Sequence, residues 1–156
     1  MLFTYLHSKS LQSFLTGIFP DEWKSARVAP LYKNSGKRND PTNYRVISVI
    51  LVVAKVFERV VYDQVYHCLT ENLILSRYQS GFRSLDSMVT ALLEATDSWA
   101  MNIDRGLVNA VVFLELKKDF DTVDHNILLK KLQYYGIRGS CHEWFASYLN
   151  DRTQTC

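Results

Sequence analysis

The sequence predicts a mixed α/β (α+β) chain, rich in helix and with a short sheet. Two observations lead there. Residues 110–125 read AVVFLELKKDFDTVDH, where an apolar run, Val111 to Leu114, leads straight into a carboxylate, Glu115. A short apolar run bounded by a turn is the pattern of a buried strand. Over 49–69 and 87–103, by contrast, apolar residues recur at helical spacing. With 47% of its 156 residues apolar and 13% aromatic, the chain can build one core and is no disordered tail.

Each element has its own signal. Phe3, Leu6, Phe14 and Leu15 predict a helix over 2–16, with Gly17 as its stop. Residues 28–32 predict a strand, and Pro30, which has no N–H, makes it an edge or a bulge. Residues 34–42 are rich in Asn, Ser, Gly, Asp and Pro and predict a mobile basic loop. From 43 to 48 the chain turns apolar again and enters a helix over 49–69. Val53, Val56, Phe57, Val60 and Val61 form its buried stripe, and Lys55, Glu58, Arg59 and Asp63 its wet side. Residues 78–83 predict a turn, and 87–103 a helix ending at Gly106. The strand over 108–116 is apolar on both faces, so it needs neighbours on both edges. Only 28–32 offers one, which makes the sheet incomplete and the chain a piece of a larger domain. Asp124 is an N-cap for a helix over 125–135 with Gly136 after it. Ser140 and Glu143 have capping-box spacing for a last helix reaching 149.

The formal charge of +2 names no partner, but its distribution is uneven. Lys24, Arg27, Lys33, Lys37, Arg38 and Arg45 face only Asp40 over 24–45, a patch suited to phosphates or simply a solvated loop. Cys68, Cys141 and Cys156 form no CxxC, so neither a disulfide framework nor a zinc site is expected, and a reducing compartment fits. His7 and Lys9 break any signal-peptide core, and the longest apolar run, 46–54, is too short to span a membrane. Repeats, low-complexity tracts and interdomain linkers are absent from the sequence.

Read together, six blocks resemble the reverse transcriptase domain of non-LTR (LINE-like) retrotransposons, over about 14–152. They are FPDEWKSARVAPLYK with NYRVIS (Val46 standing where proline is usual), VAKVFERVV, QSGFR, FLELKKDFDTVDH, YGI and WFASYL-x-x-R, in the family's order. The resemblance implies a partial right-hand polymerase fold over 1–156. About 1–105 would be fingers and fingers/palm helices, and about 106–156 the start of the palm. It also implies RNA-directed DNA synthesis with an RNA template, a DNA primer, dNTPs and two Mg²⁺ (or Mn²⁺), in an intracellular setting, nucleus or cytoplasm. Glu115 stands in the place of the first catalytic aspartate, and Leu116 would offer its carbonyl to the same metal. Phe120 matches the gate residue that excludes a ribose 2′-OH. Arg45 and Lys33 fall where the fingers hold the triphosphate, while Arg27, Gln79 and Arg83 fall near nucleic acid. Taken alone, Glu115 is equally a strand-end carboxylate, Phe120 a core ring, Arg45 a surface cation, and Gln79 and Arg83 turn residues. Asp121 and Asp124 read as structural, holding the turn and capping the helix.

Two departures bear on activity. Glu115 is one methylene longer than the family's aspartate, and Asp119 replaces a small residue. A misplacement of ~1 Å in a catalytic group can cost on the order of 100-fold. The family's paired-aspartate motif has no counterpart in this sequence. The leading expectation is a polymerase fragment inactive by itself. The alternatives are a nucleic-acid-binding remnant, a translated fossil of the element, and a metal-dependent phosphohydrolase built from Glu115, Asp119, Asp121 and Asp124.

Overall fold

The computed structural model describes residues 2–84, 86–116 and 119–155, with side chains from Ser8 onward. Phe3, Leu6 and Cys156 from the sequence reading therefore lie outside the described side chains or residues. The chain forms two compact units, 1–67 with 124–156, and 68–123.

The first unit opens with α1 (Leu2–Thr16). Gly17 ends it with φ +68, where a Cβ would lie 3.0 Å from the Glu143 Cβ. A single 3₁₀ turn, Asp21–Trp23, leads into β1 (Ser25–Tyr32). The chain returns as β2 (Tyr44–Ile50), antiparallel to β1 from Ala26↔Ile50 to Tyr32↔Tyr44. β3 (Thr153–Thr155) lies parallel on the other edge of β1, from Ser25↔Thr153 to Arg27↔Thr155, so the order is β2-β1-β3. The strand expected at the edge is thus the middle one. Pro30 is tolerated because β3 pairs only with residues 25–27, and beyond them β1 has a neighbour on one side alone. β2 is a strand that the sequence reading does not predict, since in YRVISVI the apolar residues Val46–Ile47 and Val49–Ile50 stand in adjacent pairs and do not alternate with polar ones.

α2 (Val52–Glu71) through residue 67, α4 (His125–Tyr134) and α5 (Ser140–Leu149) complete the unit. Its core is aromatic: Phe19, Trp23, Ala54, Phe57, Val61 and Trp144 are buried, with Phe14, Phe145 and Tyr148 packed against them. Polar groups inside are matched. Ser13 Oγ donates to the Ile18 carbonyl (2.6 Å) and accepts from Trp144 Nε1 (2.9 Å), and Phe19 N donates to Ser147 Oγ (3.0 Å). Such pairing matters because an unmatched buried polar group costs ~1–3 kcal/mol. The α2 stripe is shifted from the expected one: Ala54, Phe57 and Val61 are buried, but Val56 and Val60 are 62% and 44% exposed. The core meets a narrow face of α2, since the small Ala54 lets the helix approach closely.

The helix caps divide. Asp124 accepts from the N–H groups of Asn126 (2.8 Å) and Ile127 (3.1 Å), as expected, and Gly136 follows α4 at φ +94. The box expected from Ser140 and Glu143 is not formed. Gly139, at φ +60, occupies the cap position of α5 and provides no side-chain bond, so Ser140 is already helical.

The second unit, 68–123, contains α3 (Met88–Asp104). Ser87 and Thr90 cap it reciprocally, and Gly106 ends it at φ +71. The turn at 78–83 is present, with Phe82 at φ +60. The expected strand over 108–116 is not: this stretch has no regular structure, and Val108, Phe113 and Leu114 are 94%, 85% and 87% exposed. Apolar patterning alone does not make a strand, because its N–H and C=O groups need a ladder. Among the described residues no strand runs beside it.

Candidate nucleic-acid interface

The β1–β2 pairing decides which basic residues act together. Successive side chains on a strand point to opposite faces. On one face Ala26, Val28 and Ile50 look toward the core. On the other, Arg27, Ala29 and Leu31 lie beside Arg45, Ile47 and Val49, with Arg27 opposite Val49 and Leu31 opposite Arg45. All six are exposed. Arg27 and Arg45 therefore sit at opposite ends of one apolar sheet face, four residue steps or about 13 Å apart along the strands. Guanidinium groups suit phosphate oxygens, and an apolar floor between them suits a base or sugar. Leu31 and Ile47 were not among the expected site residues. No alternation in the sequence marks them, since Val46 and Ile47 are adjacent, and only the strand register does.

The loop between the strands is tied by a set of hydrogen bonds. Asn43 Nδ2 donates to the Lys37 carbonyl (2.8 Å), and the Tyr44 hydroxyl donates to that of Arg38 (2.7 Å). Lys33 N donates to the Asn43 carbonyl (2.8 Å), and the Tyr32 hydroxyl donates to that of Gly36. Gly36 is at φ +77 against the Asn43 amide, where a Cβ would come within 2.5 Å. Asp40 accepts from both the hydroxyl (2.7 Å) and the N–H (2.9 Å) of Thr42, and these bonds hold its carboxyl below the usual range.

These contacts thin the expected basic patch. Lys24 is buried and paired with Asp21 (2.9 Å), so it faces no ligand. The Lys33 ammonium is bound to the Thr42 carbonyl (2.8 Å), and the Arg38 guanidinium lies over the Tyr32 ring (5.5 Å). Arg27, Lys37 and Arg45 are the exposed cations whose position suits a phosphate.

In the second unit, Gln79 Nε2 donates to the Gly81 carbonyl (3.1 Å), a turn-holding bond. Arg83 is about a fifth exposed. Its Nε lies 3.8 Å from Asp86, too far for a hydrogen bond, and its Nε and Nη1 are buried without one among the described residues. Phe120 is 78% exposed and meets Phe82 edge-on at 6.1 Å. Glu115 is exposed, as is Leu116 at 72%. Among the described residues no three His, Cys, Asp or Glu side chains gather as a metal site would require. Asp124 is engaged as a helix cap, and Thr122 Oγ1 closes the turn onto the Asp119 carbonyl (3.1 Å). As arranged here, these carboxylates do not fit the two-metal clamp of phosphoryl transfer. The four-carboxylate phosphohydrolase has no assembled centre either.

A family model described as reverse transcriptase (RNA-dependent DNA polymerase) matches residues 33–156. The chain is 30% identical over 140 residues to a probable RNA-directed DNA polymerase from transposon BS of Drosophila melanogaster, covering 86% of this chain and 15% of that protein. It is 28% identical over 142 residues to a retrovirus-related Pol polyprotein from the type-1 retrotransposable element R2 of Popillia japonica, covering 90% and 19%. Against the RNA-directed DNA polymerase from mobile element jockey of Drosophila melanogaster, identity is 28% over 122 residues, covering 74% and 13%. The chain thus spans less than a fifth of the length of these relatives.

Proposed function

Because the chain belongs to the reverse transcriptase family, on the non-LTR (LINE-like) retrotransposon side, we propose that it supplies the fingers (about 1–105) and the start of the palm (about 106–156) of an RNA-directed DNA polymerase. In this reading the β1–β2 face grips nucleic acid or an incoming dNTP through Arg27 and Arg45, with Lys37 at the hairpin end and Lys33 able to join only by leaving the Thr42 carbonyl. The single observation that carries it is that the strand register sets Arg27 and Arg45 on one exposed face around apolar Leu31 and Ile47. The second unit is read by itself: there Gln79 and Arg83 are nucleic-acid contacts and Phe120 is the 2′-OH gate.

Members of this family use divalent metal ions, nucleic-acid templates and nucleotides. Glu115, with the Leu116 carbonyl, is the point at which Mg²⁺ or Mn²⁺ enters the parent reaction. Among the described residues no ligand set gathers around it, and we propose that this chain binds RNA without extending a primer. The exposed run 108–114 is then the surface on which the rest of a palm sheet packs. In this reading the setting is intracellular, which rests on the family alone. Among the described residues no helix is long and apolar enough to cross a membrane, and Cys68 and Cys141 are free.

The test joins binding to synthesis. A single-stranded RNA should bind in a salt-sensitive, sequence-indifferent way, and every phosphate that a substitution leaves unneutralised should lower the salt slope by about 0.7. Arg27→Ala with Arg45→Ala should weaken binding by at least about 10-fold, read by fluorescence anisotropy. Binding that ignores salt and both substitutions would remove the interface. Primer extension on an RNA template with Mg²⁺ or Mn²⁺ should show no product, and a product from this chain would overturn the inactive reading.

A further inference from the structure

The block WFASYL-x-x-R ends in Arg152, a residue the proposed site does not use, and the structure gives it a role. Its Nη1 donates to the Tyr148 carbonyl (3.3 Å) near the end of α5, and its Nη2 lies 3.6 Å from the Glu58 carboxylate on α2. The guanidinium also covers the Tyr148 ring (4.6 Å) and the Phe19 ring (5.9 Å). Tyr148 in turn donates its hydroxyl to Glu58 (3.0 Å). One planar cation therefore engages a helix-end carbonyl, a carboxylate and two rings, a combination that a lysine ammonium does not reproduce.

The residue after Arg152 begins β3. Thr153 N donates to the Lys24 carbonyl (3.3 Å), and Gln154 Nε2 donates to Ser48 Oγ on β2 (3.0 Å). That amide spans the middle strand on the face of Ala26, whose small side chain leaves room for it. A three-residue polar strand, Thr-Gln-Thr, has no apolar side chain to hold it in a sheet. Asp151, at φ +57, also puts a strained turn just before it. Something outside the strand must supply the anchorage.

We propose that Arg152 is a positioning residue: it clamps β3 along β1 and thereby sets the Arg27 end of the nucleic-acid face. Thr155 is the register partner of Arg27, so a docked β3 holds the other edge of β1 beside that residue through its neighbours, Thr153 N donating to the Lys24 carbonyl. The effect on nucleic acid rests on the function proposed above, whereas the clamp itself does not.

The experiment has two arms on the full 156-residue chain. Amide hydrogen exchange is compared for wild type, Arg152→Ala and Arg152→Lys. Both substitutions should raise exchange at Thr153, whose N–H donates to the Lys24 carbonyl, by at least about 10-fold while leaving the α2 amides unchanged. Thr153→Pro, which deletes the Thr153 N–H but keeps Arg152, should release Gln154 and Thr155 in the same way. It covers the case in which Arg152→Ala fails to fold. Unchanged exchange at Thr153, or full rescue by lysine, would overturn the clamp.

The second arm is a double-mutant cycle in RNA affinity, with a single-stranded RNA as the probe. Arg152→Ala should weaken binding about 3- to 10-fold in wild type and not at all in an Arg27→Ala background. Additive losses would mean that Arg152 acts otherwise than through Arg27, and would overturn the link. If the wild-type chain binds no RNA, the interface reading fails while the exchange arm still decides the clamp.

Discussion

Tyr148 shows how much one side chain reports on its surroundings. Burial pushes its phenol above the ordinary tyrosine value, the neighbouring Glu58 carboxylate adds to this, and Arg152 opposes it. The unfolded chain then gives up this proton before the folded one does, so the folded state binds more protons at alkaline pH. Stability from this group is whole below the ordinary value and is lost as pH rises from there through the folded value. Denaturant midpoints should be level with respect to this group up to the ordinary tyrosine value near 10 and should fall from there to about pH 11.5. Tyr148→Phe should flatten that fall, and an unchanged slope would show that the phenol does not carry it. Asp40 runs the other way: the Thr42 hydroxyl and N–H hold its carboxyl low, so its support of the loop is lost in acid. At this scale the sequence reading did well where the partner is a near neighbour. Asp124 caps its helix as expected, because both N–H groups it accepts lie within three residues. It did less well for Lys24, grouped with the phosphate-facing cations but turned inward onto Asp21.

Elements were legible in proportion to their length and pattern. The helices over 2–16, 87–103 and 125–135 match α1, α3 and α4 to within a residue or two. Caps can be tested directly. Asp124→Ala should destabilise the protein by about 1 kcal/mol and fray the start of α4, whereas Asp124→Asn should cost only a few tenths. Urea unfolding with amide exchange at Asn126 and Ile127 would show it. Strands were harder. β2 was hidden beside a polar loop, and β3 has no pattern at all, since its place depends on Arg152 and on the open edge of β1. The stretch 108–116 carries the strongest strand pattern and forms none, because a ladder needs a partner and none of the described strands is one. The box expected at Ser140 failed since Gly139, with its left-handed backbone, had already taken the cap position.

At the scale of the molecule the buried residues are confined to one unit. Its aromatic core ties α1, α2 and α5 together, with Phe19, Phe57 and Trp144 in mutual ring contact at 5.4–6.3 Å. Among the described residues of 68–123, none is buried. Amides over 110–116 should therefore exchange near the unprotected rate, and limited proteolysis should cut there first. Slow exchange over that stretch would show that it is packed in solution. The sequence by itself determined the family, the presence of the helices and the Asp124 cap, because those depend on residues a few positions apart and on blocks read in order. Tertiary structure alone decided which strand lies in the middle, which cations share a face, that Lys24 is spent inside, and what Arg152 holds. Each of these depends on register or on a contact between residues far apart in the chain, and no local pattern encodes either.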